Sequence, residues 1–311
     1  MDVESAELRE SVEEVRGRAV DGRTLGFLAI LGAVALWGPS YVATKIVLAE
    51  MGPYLLAFVR FALATAFLGP VAVWSLKGQG GVRLPVRRLA VMGLTGGTLY
   101  FACQNAGLQY VTALEASLVG AVLPAIVALV SWAVAGEKLR PLQVTGVGLV
   151  VAGVALVAII SSGSQGATLN LLGYALLLGS AVSWAFFTLL GRRVGAEVPS
   201  AVVAAFVVAF GALFLLPLAL FDLARGGWPA LSPLAWAMVV FLGFGGSGLT
   251  FVLWNYGLKT LTAGVAGSLT NLVPFVGAFC AWAFLKEQLA WVHLWGGLTV
   301  LAGLRLVTWS R

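Results

Sequence analysis

Charged residues are scarce in this sequence. Asp, Glu, Lys and Arg make up 10% of its 311 residues, whereas hydrophobic residues make up 60% and the mean hydropathy is +0.98. A soluble globular domain carries about 25% charged residues, so this chain lacks the polar side chains that would cover a water-exposed surface of that kind. The composition therefore excludes a soluble domain and predicts a protein embedded in lipid.

Cysteine and histidine are nearly absent. Cys103 and Cys280 lie inside apolar runs, where we interpret them as small buried side chains, and His293 is the single histidine. These numbers exclude a disulfide framework and a histidine cluster for a metal. There is no glycine-rich phosphate loop of the Walker type, no aspartate within the apolar runs and no serine–histidine pair. The sequence therefore predicts no cofactor and no metal, and gives an intramembrane hydrolase no catalytic set.

The apolar residues form long, continuous runs. A helix needs about 20 apolar residues to cross the hydrocarbon core, and the runs lack the alternation of an outer-membrane barrel. We predict an all-α polytopic membrane protein with ten transmembrane helices. Their predicted bounds are Leu25–Val47, Tyr54–Leu76, Leu89–Leu108, Ala113–Ala135, Leu142–Ser161, Leu171–Leu190, Ala201–Leu220, Leu234–Leu258, Ala263–Leu285 and Trp291–Val307.

The second half of the sequence repeats the first. An ungapped match over roughly 55 residues indicates a duplicated unit, and Trp37 and Trp184 extend it to the first and sixth predicted helices. The unit holds five helices, an odd number, so two units in series are inverted relative to each other in the membrane. The pairs that are kept at an offset of 150 residues include Asn105 with Asn255, Pro124 with Pro274, and Glu137 with Glu287.

The basic residues predict an orientation. With the N-terminus in the cytoplasm, fourteen Lys and Arg residues fall in the tails and connections on that side and two, Arg225 and Lys286, on the other. This bias satisfies the positive-inside rule and explains the formal charge of +6 without a nucleic-acid partner. The predicted divisions are a polar cytoplasmic tail (1–24), a first five-helix repeat (25–161), an external linker (162–170), a second five-helix repeat (171–309) and a cytoplasmic end (310–311).

Several short motifs stand out along the chain: Trp37-Gly38 with Ser40, Phe58-Val59-Arg60-Phe61, Gly107-Leu108, Pro124, Gly136-Glu137-Lys138-Leu139, Pro274 and Leu285-Lys286-Glu287-Gln288-Leu289. Together they resemble the drug/metabolite transporter superfamily, EamA type. The resemblance implies a ten-helix bundle with cytoplasmic termini that exports small metabolites, often amino acids, without ATP. The second half departs from the pattern at Trp184-Ala185-Phe186-Phe187, so we expect the halves to contribute unequally to the site.

Divergence between the repeats predicts a substrate-binding face. Asn105 and Asn255 are kept and are interpreted as scaffold, whereas their helices differ at Tyr100, Gln104 and the equivalent positions. An asymmetric ligand requires such differences, and a cavity mixes an apolar wall with a few polar groups. The candidate substrate-binding residues are Trp37, Ser40, Tyr41, Arg60, Tyr100, Gln104, Trp184, Thr188, Thr250, Trp254, Ser268 and Asn271.

Three acidic residues and two prolines receive other roles. Glu115 opens the fourth predicted helix and is a candidate for proton coupling, whereas Glu137 and Glu287 are expected to bind loop backbone or a helix N-terminus. Pro124 and Pro274 are expected to be structural. Packing alone explains several candidates equally well, Trp37 and Trp184 among them, and Arg60 could equally hold a helix end.

The sequence therefore predicts a secondary transporter in the inner or plasma membrane that exports a small organic metabolite, such as an amino acid, by alternating access around a midplane cavity. Its partners are that solute and the lipid bilayer. A non-transporting membrane scaffold or signalling protein is the alternative, and an intramembrane enzyme is a third class. The substrate, the coupling ion and the oligomeric state stay open.

Overall fold

A computed structural model describes residues 22–77, 84–136, 138–161, 167–194 and 198–309, and all regular secondary structure in these ranges is helical. The first half contains α1 (Gly22–Leu48), α2 (Pro53–Lys77), α3 (86–108), α4 (Ala113–Gly120), α5 (Leu123–Ala135) and α6 (Pro141–Ser161). The second half contains α7 (Ala167–Val194), α8 (Ser200–Gly226), α9 (Pro233–Thr260), α10 (Ala263–Thr270), α11 (Val273–Leu285) and α12 (Trp291–Trp309).

Long apolar helices dominate the described ranges. Six of them, α1, α2, α6, α7, α8 and α9, are long and apolar enough to cross a membrane, and α4 with α5 adds a seventh if this bent pair is one span. Their outward faces carry large exposed apolar side chains, such as Trp74 and Ile159. These helices are those of a multi-pass membrane protein, because a lipid-facing surface must be apolar.

The two halves share irregularities at equivalent positions. π-Helical turns occupy Gly93–Leu99 in α3 and Phe241–Leu249 in α9. The helix after α3 is broken between α4 and α5, and its counterpart is broken between α10 and α11. Gly136 after α5 and Lys286 after α11 both have left-handed backbone, with φ of 69° and 57°. The repeat read from the sequence therefore extends to the backbone conformation.

Equivalent helices of the two halves pack against each other. Helix α2 packs along α8, and α6 packs along α12. In the second pair a Cβ built on Gly146 would lie 2.6 Å from the carbonyl oxygen of Gly303, and one built on Gly153 would lie 2.7 Å from that of Gly296. Rising numbers on one helix meet falling numbers on the other, so the pair is antiparallel, and glycine allows this close backbone approach.

The structure corrects two of the predicted helices. Ala113–Ala135 and Ala263–Leu285 are not continuous, because each divides into two helices. Pro124 and Pro274 lie at the start of α5 and α11. Proline lacks an N–H group and clashes with the preceding turn, so it fits the first turn of a helix but not its interior.

Smaller boundary differences also occur. Helix α1 begins at Gly22, inside the predicted tail, and α7 begins at Ala167, inside the predicted linker. Residues 1–21 and 162–166 lie outside the described residues.

Candidate functional site

A central cavity lies between the two halves and holds about 1300 Å³ of space that no atom of the chain fills, including the space at its mouth. Helices α1, α2, α3, α7 and α9 meet around its inner part. Its lining residues are Trp37, Ser40, Tyr41, Arg60, Tyr100, Phe101, Gln104, Gly120, Leu123, Pro124, Val127, Ala128, Ser131, Gln143, Trp184, Thr188, Trp254, Leu258, Gly267, Thr270, Val273, Val307 and Thr308.

Three tryptophans from three helices form one wall of the cavity. Trp37 is 5.6 Å from Trp184 and 5.4 Å from Trp254 between ring centroids, and Trp184 is 6.2 Å from Trp254. The ring of Tyr100 lies 4.8 Å from that of Trp184 and extends the wall. Aromatic pairs at such separations and tilts attract each other, so the wall is a packed apolar surface made of rings that are tilted against one another.

Gln104 connects two tyrosines in the cavity. Its amide Nε2 donates to the hydroxyl of Tyr100 at 2.8 Å and lies 3.5 Å from the hydroxyl of Tyr41. Gln104 and Tyr100 are four residues apart and therefore share one face of α3. The three side chains supply a small polar patch beside the aromatic wall.

Among the described lining residues Arg60 alone is charged, and 1% of its side chain is exposed. Its Nε donates to the hydroxyl of Ser247 at 2.8 Å, and Nη2 donates to the carbonyl of Gly246 at 3.3 Å. Its guanidinium also lies 4.3 Å from the centre of the Phe101 ring, as in a cation–π contact. Both hydrogen-bond acceptors belong to the π-helical turn of α9, and such turns are frequent at functional sites.

The cavity does not extend to both ends of the bundle. Its lining continues to Ser131 near the end of α5, Gln143 near the start of α6 and Thr308 near the end of α12. We call this the cavity end. At the opposite end, where α2, α4 and α9 begin, helix termini are tied together by charged side chains, and we call this the closed end.

Two long-range contacts tie α1 and α8 into the closed end. The Nζ of Lys45 donates to the carbonyls of Leu108 and Val111, each at 2.6 Å, and so satisfies the free carbonyls after α3. The carboxylate of Asp222, at the end of α8, accepts from the N–H groups of Tyr54 and Leu55 at 2.8 and 2.9 Å. An acid at the start of α2 is favoured by the helix dipole.

Two glutamates hold further helix starts at the closed end. The carboxylate of Glu287 accepts from the N–H groups of Ala113 and Leu114 at 3.0 and 2.9 Å, at the start of α4. Glu50 accepts from both the N–H and the hydroxyl of Ser232, before α9. These hydrogen bonds from Ser232 hold the pKa of Glu50 below its usual value, because they stabilise the charged form.

Helix packing also differs between the closed end and the cavity end. At the closed end α4 packs against α11, where a Cβ built on Gly277 would lie only 2.7 Å from Cβ of Ser117. The repeat equivalent of Ser117 is Gly267 in α10, which faces the cavity together with Val127 of α5. A Cβ built on Gly267 meets nothing within 4 Å. Helices α10 and α5 are therefore separated where α4 and α11 touch.

Nine of the twelve predicted substrate-binding residues line this cavity: Trp37, Ser40, Tyr41, Arg60, Tyr100, Gln104, Trp184, Thr188 and Trp254. Thr250 is not part of the lining, since it is fully buried and donates to the carbonyl of Gly246. Asn271 lies outside the lining as well, at the break before α11, and its buried Oδ1 has no hydrogen-bond partner. The side chain of Ser268 lies outside the described residues.

The residues with predicted structural roles take different positions. Asn105 donates to the carbonyl of Pro53 at 3.0 Å, between α3 and α2, whereas Asn255 donates to the carbonyl of Phe251 in its own helix. The two kept asparagines therefore make different contacts. Pro124 lines the cavity, whereas Pro274 lines an apolar groove beside α12.

Glu115 forms a capping box at the start of α4. Its carboxylate accepts from the N–H of Thr112, and the hydroxyl of Thr112 accepts from the N–H of Glu115. This reciprocal pair satisfies two free donors, and Glu115 does not line the cavity. Glu137 lies outside the described residues.

Sequence reasoning missed the lining of the cavity end. Ser131, Gln143 and Thr308 are single polar residues in apolar runs, and no repeat pattern distinguishes them. The useful signal was Pro124, because an interior proline indicates a broken helix, and the lining residues Gly120 and Leu123 flank that break. Within the described ranges no three His, Cys, Asp or Glu side chains are grouped as they would be around a metal ion.

Comparison with known proteins identifies one family of transporters over both halves of the chain. The sequence matches the EamA-like transporter family over residues 24–159 and again over residues 171–309. It is 27% identical to the "Uncharacterized transporter YetK" of Bacillus subtilis over 94% of this chain and 89% of that protein. It is 32% identical to the "Aromatic amino acid exporter YddG" of Ancylobacter novellus over 80% of this chain and 84% of that protein.

A third relative and a solved structure agree. The chain is 28% identical to the "Probable terminal-alkyne amino-acid exporter" of Streptantibioticus cattleyicolor, over 90% of this chain and 92% of that protein. A solved structure titled "Crystal structure of protein" superimposes with a TM-score of 0.66 at 26% identity, over 92% of this chain and 96% of that one. The family match spans both halves, and the resemblance inferred from the short motifs is confirmed: the chain belongs to the EamA-like transporter family.

Proposed function

We propose that this protein is a secondary exporter of a small organic metabolite, such as an amino acid, and that it works by alternating access around the central cavity. Membership of its family implies a small-molecule substrate and a lipid environment, and points to a transporter rather than an enzyme. The carrying observation is the asymmetry of the cavity, which reaches one end of the bundle and is blocked by helix contacts at the other. A solute site that opens to one side at a time is what alternating access requires.

In this proposal the chain crosses the membrane ten times as two inverted five-helix repeats. The antiparallel packing of α6 on α12 supports inversion, because a two-fold axis in the membrane plane reverses the direction of equivalent helices. Two successive family matches support the duplication. On this basis α4 with α5, and α10 with α11, each make one broken crossing, and the cavity lies near the midplane.

The proposed orientation places the cavity end in the cytoplasm of a cell whose plasma or inner membrane holds the protein. Lys138, Arg140 and Lys259 lie beside that end, as the positive-inside rule requires. Both termini are then cytoplasmic, and the described conformation is open to the inside. Substrate would enter the cavity from the cytoplasm and leave after the closed end separates.

Solute counterflow tests the proposal. Purified protein in liposomes loaded with unlabelled amino acids is expected to accumulate the matching labelled amino acid transiently. The control is the variant Gly267→Trp, which adds a side chain to open space at the cavity wall and is expected to abolish exchange. A scaffold or signalling protein gives no exchange in either preparation, and that result would contradict the proposed export of amino acids.

A further inference from the structure

Among the described residues Arg60 has no acidic partner, although a buried charge is normally paired. It is almost fully buried, and no Asp or Glu is among the described residues that line the cavity. A charge at such depth is costly unless it is paired, and it marks a functional position more often than not. Its two hydrogen-bond acceptors, Ser247 and Gly246, are neutral.

The acids of the described residues are all engaged elsewhere. Four carboxylates are present in the described ranges, and each accepts a hydrogen bond from a backbone N–H at the closed end. None is therefore available to neutralise Arg60. The four are Glu50, Glu115, Asp222 and Glu287.

Two hydrogen-bond donors at the cavity have no acceptor among the described residues. The hydrogen bonds of Arg60 to described residues use Nε and Nη2, so Nη1 is left without one. The indole Nε1 of Trp254, on the cavity wall, is buried and has no acceptor. Buried donors without acceptors are costly, and a carboxylate supplies acceptor oxygens and a negative charge together. The planar guanidinium fork matches a carboxylate better than a single point charge does.

An apolar surface continues from the guanidinium to the aromatic wall. Arg60 lies over Phe101, whose ring centroid is 4.8 Å from that of Tyr100, and Tyr100 contacts Trp184. A ligand with its charged end at Arg60 would therefore lay its remainder against aromatic rings. Among the described lining residues no carboxylate is present to bind an ammonium group.

From this arrangement we infer that the cavity selects organic monocarboxylates, anionic or zwitterionic, with a flat apolar group, held by Arg60 at the carboxylate, and that it does not require an amino group. This inference rests on the proposed transport function and specifies its substrate class. Ser247 is a positioning residue, because it fixes the guanidinium without facing the ligand.

A series of four probes that share a phenylethyl group tests the inference on the purified wild-type protein. The probes are 3-phenylpropionate, L-phenylalanine, L-phenylalaninamide and phenethylamine, and binding is followed by tryptophan fluorescence. The first two are expected to bind with affinities within about threefold of each other. The amide is expected to bind at least about tenfold more weakly, since it lacks a charge-assisted hydrogen bond, and the cationic amine more weakly still.

Variants of Arg60 test whether this side chain causes the selectivity for carboxylates. In Arg60→Gln the affinity ratio of L-phenylalanine to its amide is expected to fall to about one, whereas Arg60→Lys keeps part of the ratio. Ser247→Ala, the control, keeps the charge and removes one positioning bond, so the ratio should fall only in part. A changed ratio cannot come from misfolding alone, because both probes are measured on the same preparation.

Three results would overturn the inference: binding of the amine as tight as that of the carboxylates, binding of none of the four probes, or an unchanged ratio in Arg60→Gln. If Arg60→Gln does not fold, the wild-type series decides alone. Binding of carboxylates without counterflow would contradict the transport function and leave the selectivity intact. Counterflow of amines or neutral solutes without preference for carboxylates would contradict the selectivity and leave the transport function intact.

Discussion

Helices α4 and α11 at the closed end, and α10 and α5 at the cavity end, are built from equivalent segments of the two repeats but pack differently. Ser117 touches the backbone position of Gly277, whereas Gly267, the equivalent of Ser117, faces empty space opposite Val127. The sequence similarity of the halves therefore does not fix which contact forms. One pair can close where the other is open, and exchange of these two arrangements would move the opening from one end to the other.

Replacing Gly277 and Gly267 by leucine should show the largest difference between the closed end and the cavity end. Gly277→Leu inserts a side chain into the packed α4–α11 contact, and overpacking costs about 1–3 kcal/mol of unfolding free energy. Gly267→Leu, its matched control, enters open space and should change that free energy by less than about 0.5 kcal/mol. Both variants should lose transport, since each blocks one closure. Thermal unfolding and counterflow check this, and equal destabilisation by both substitutions would mean that α10 is already packed.

Two neighbouring residues of α3 offer a second contrast. Asn105→Leu removes the hydrogen bond to the carbonyl of Pro53 at the closed end, and loss of one such bond costs about 0.5–1.5 kcal/mol of unfolding free energy. Gln104→Leu changes the cavity wall and should weaken substrate binding by roughly 2- to 12-fold, with folding retained. Apparent affinity and thermal stability are to be measured for both. Altered substrate preference in Asn105→Leu with none in Gln104→Leu would reverse the assignment of the two faces.

Glu287 tests whether the closed end is held by its carboxylates. Glu287→Gln keeps one acceptor oxygen for the N–H groups of Ala113 and Leu114 and loses the charge, at a cost of about 1 kcal/mol after allowance for solvent screening. Folded yield should fall more than the transport rate per folded molecule. Gln288→Ala, at the exposed neighbouring position, serves as the control. Normal yield with abolished transport would assign Glu287 to the transport step instead.

Glu50 should produce the smallest effect, through pH. Its folded pKa is depressed by the bonds from Ser232, so its contribution is present above the usual pKa of about 4.3 and is lost as the pH falls through the folded value. Acidification below about pH 4 should therefore weaken the closed end slightly, and Glu50→Gln should remove this part of the pH dependence. Thermal unfolding of both proteins across pH 3–6 measures it, and identical profiles would show that the pair contributes nothing.

The sequence predicted the helical membrane class and the family because both follow from many residues at once. Long apolar runs and the repeat offset of 150 residues each involve many positions, so no single side-chain contact alters the prediction. The break before α5 was missed although Pro124 marked it, because the apolar run on both sides resembles one continuous helix. The π-helical turns have no such marker, since the glycines of Gly93–Leu99 also fit ordinary close packing.

The candidate site was predictable only at positions where the two repeats differ and where the differing residues lie on one face of a helix. Tyr100, Gln104 and Trp254 follow from comparing the repeats, and all three line the cavity. The divergence of Thr250 has another physical origin, because its hydroxyl bonds the Gly246 carbonyl that also accepts from Arg60. The state of each end cannot be read from sequence at all, since in the proposed alternating-access cycle the same residues serve both the open and the closed arrangement.

Thiol accessibility tests the asymmetry of the two ends most directly. Single cysteines are introduced by Ser117→Cys and Gly267→Cys in a Cys103→Ala, Cys280→Ala background, and a membrane-impermeant thiol reagent is applied to right-side-out and inside-out vesicles without substrate. We predict that Gly267→Cys reacts in inside-out vesicles only and that Ser117→Cys is protected in both. Reaction of Ser117→Cys as fast as that of Gly267→Cys, or protection of Gly267→Cys on both sides, would contradict a cavity that is open at one end and closed at the other.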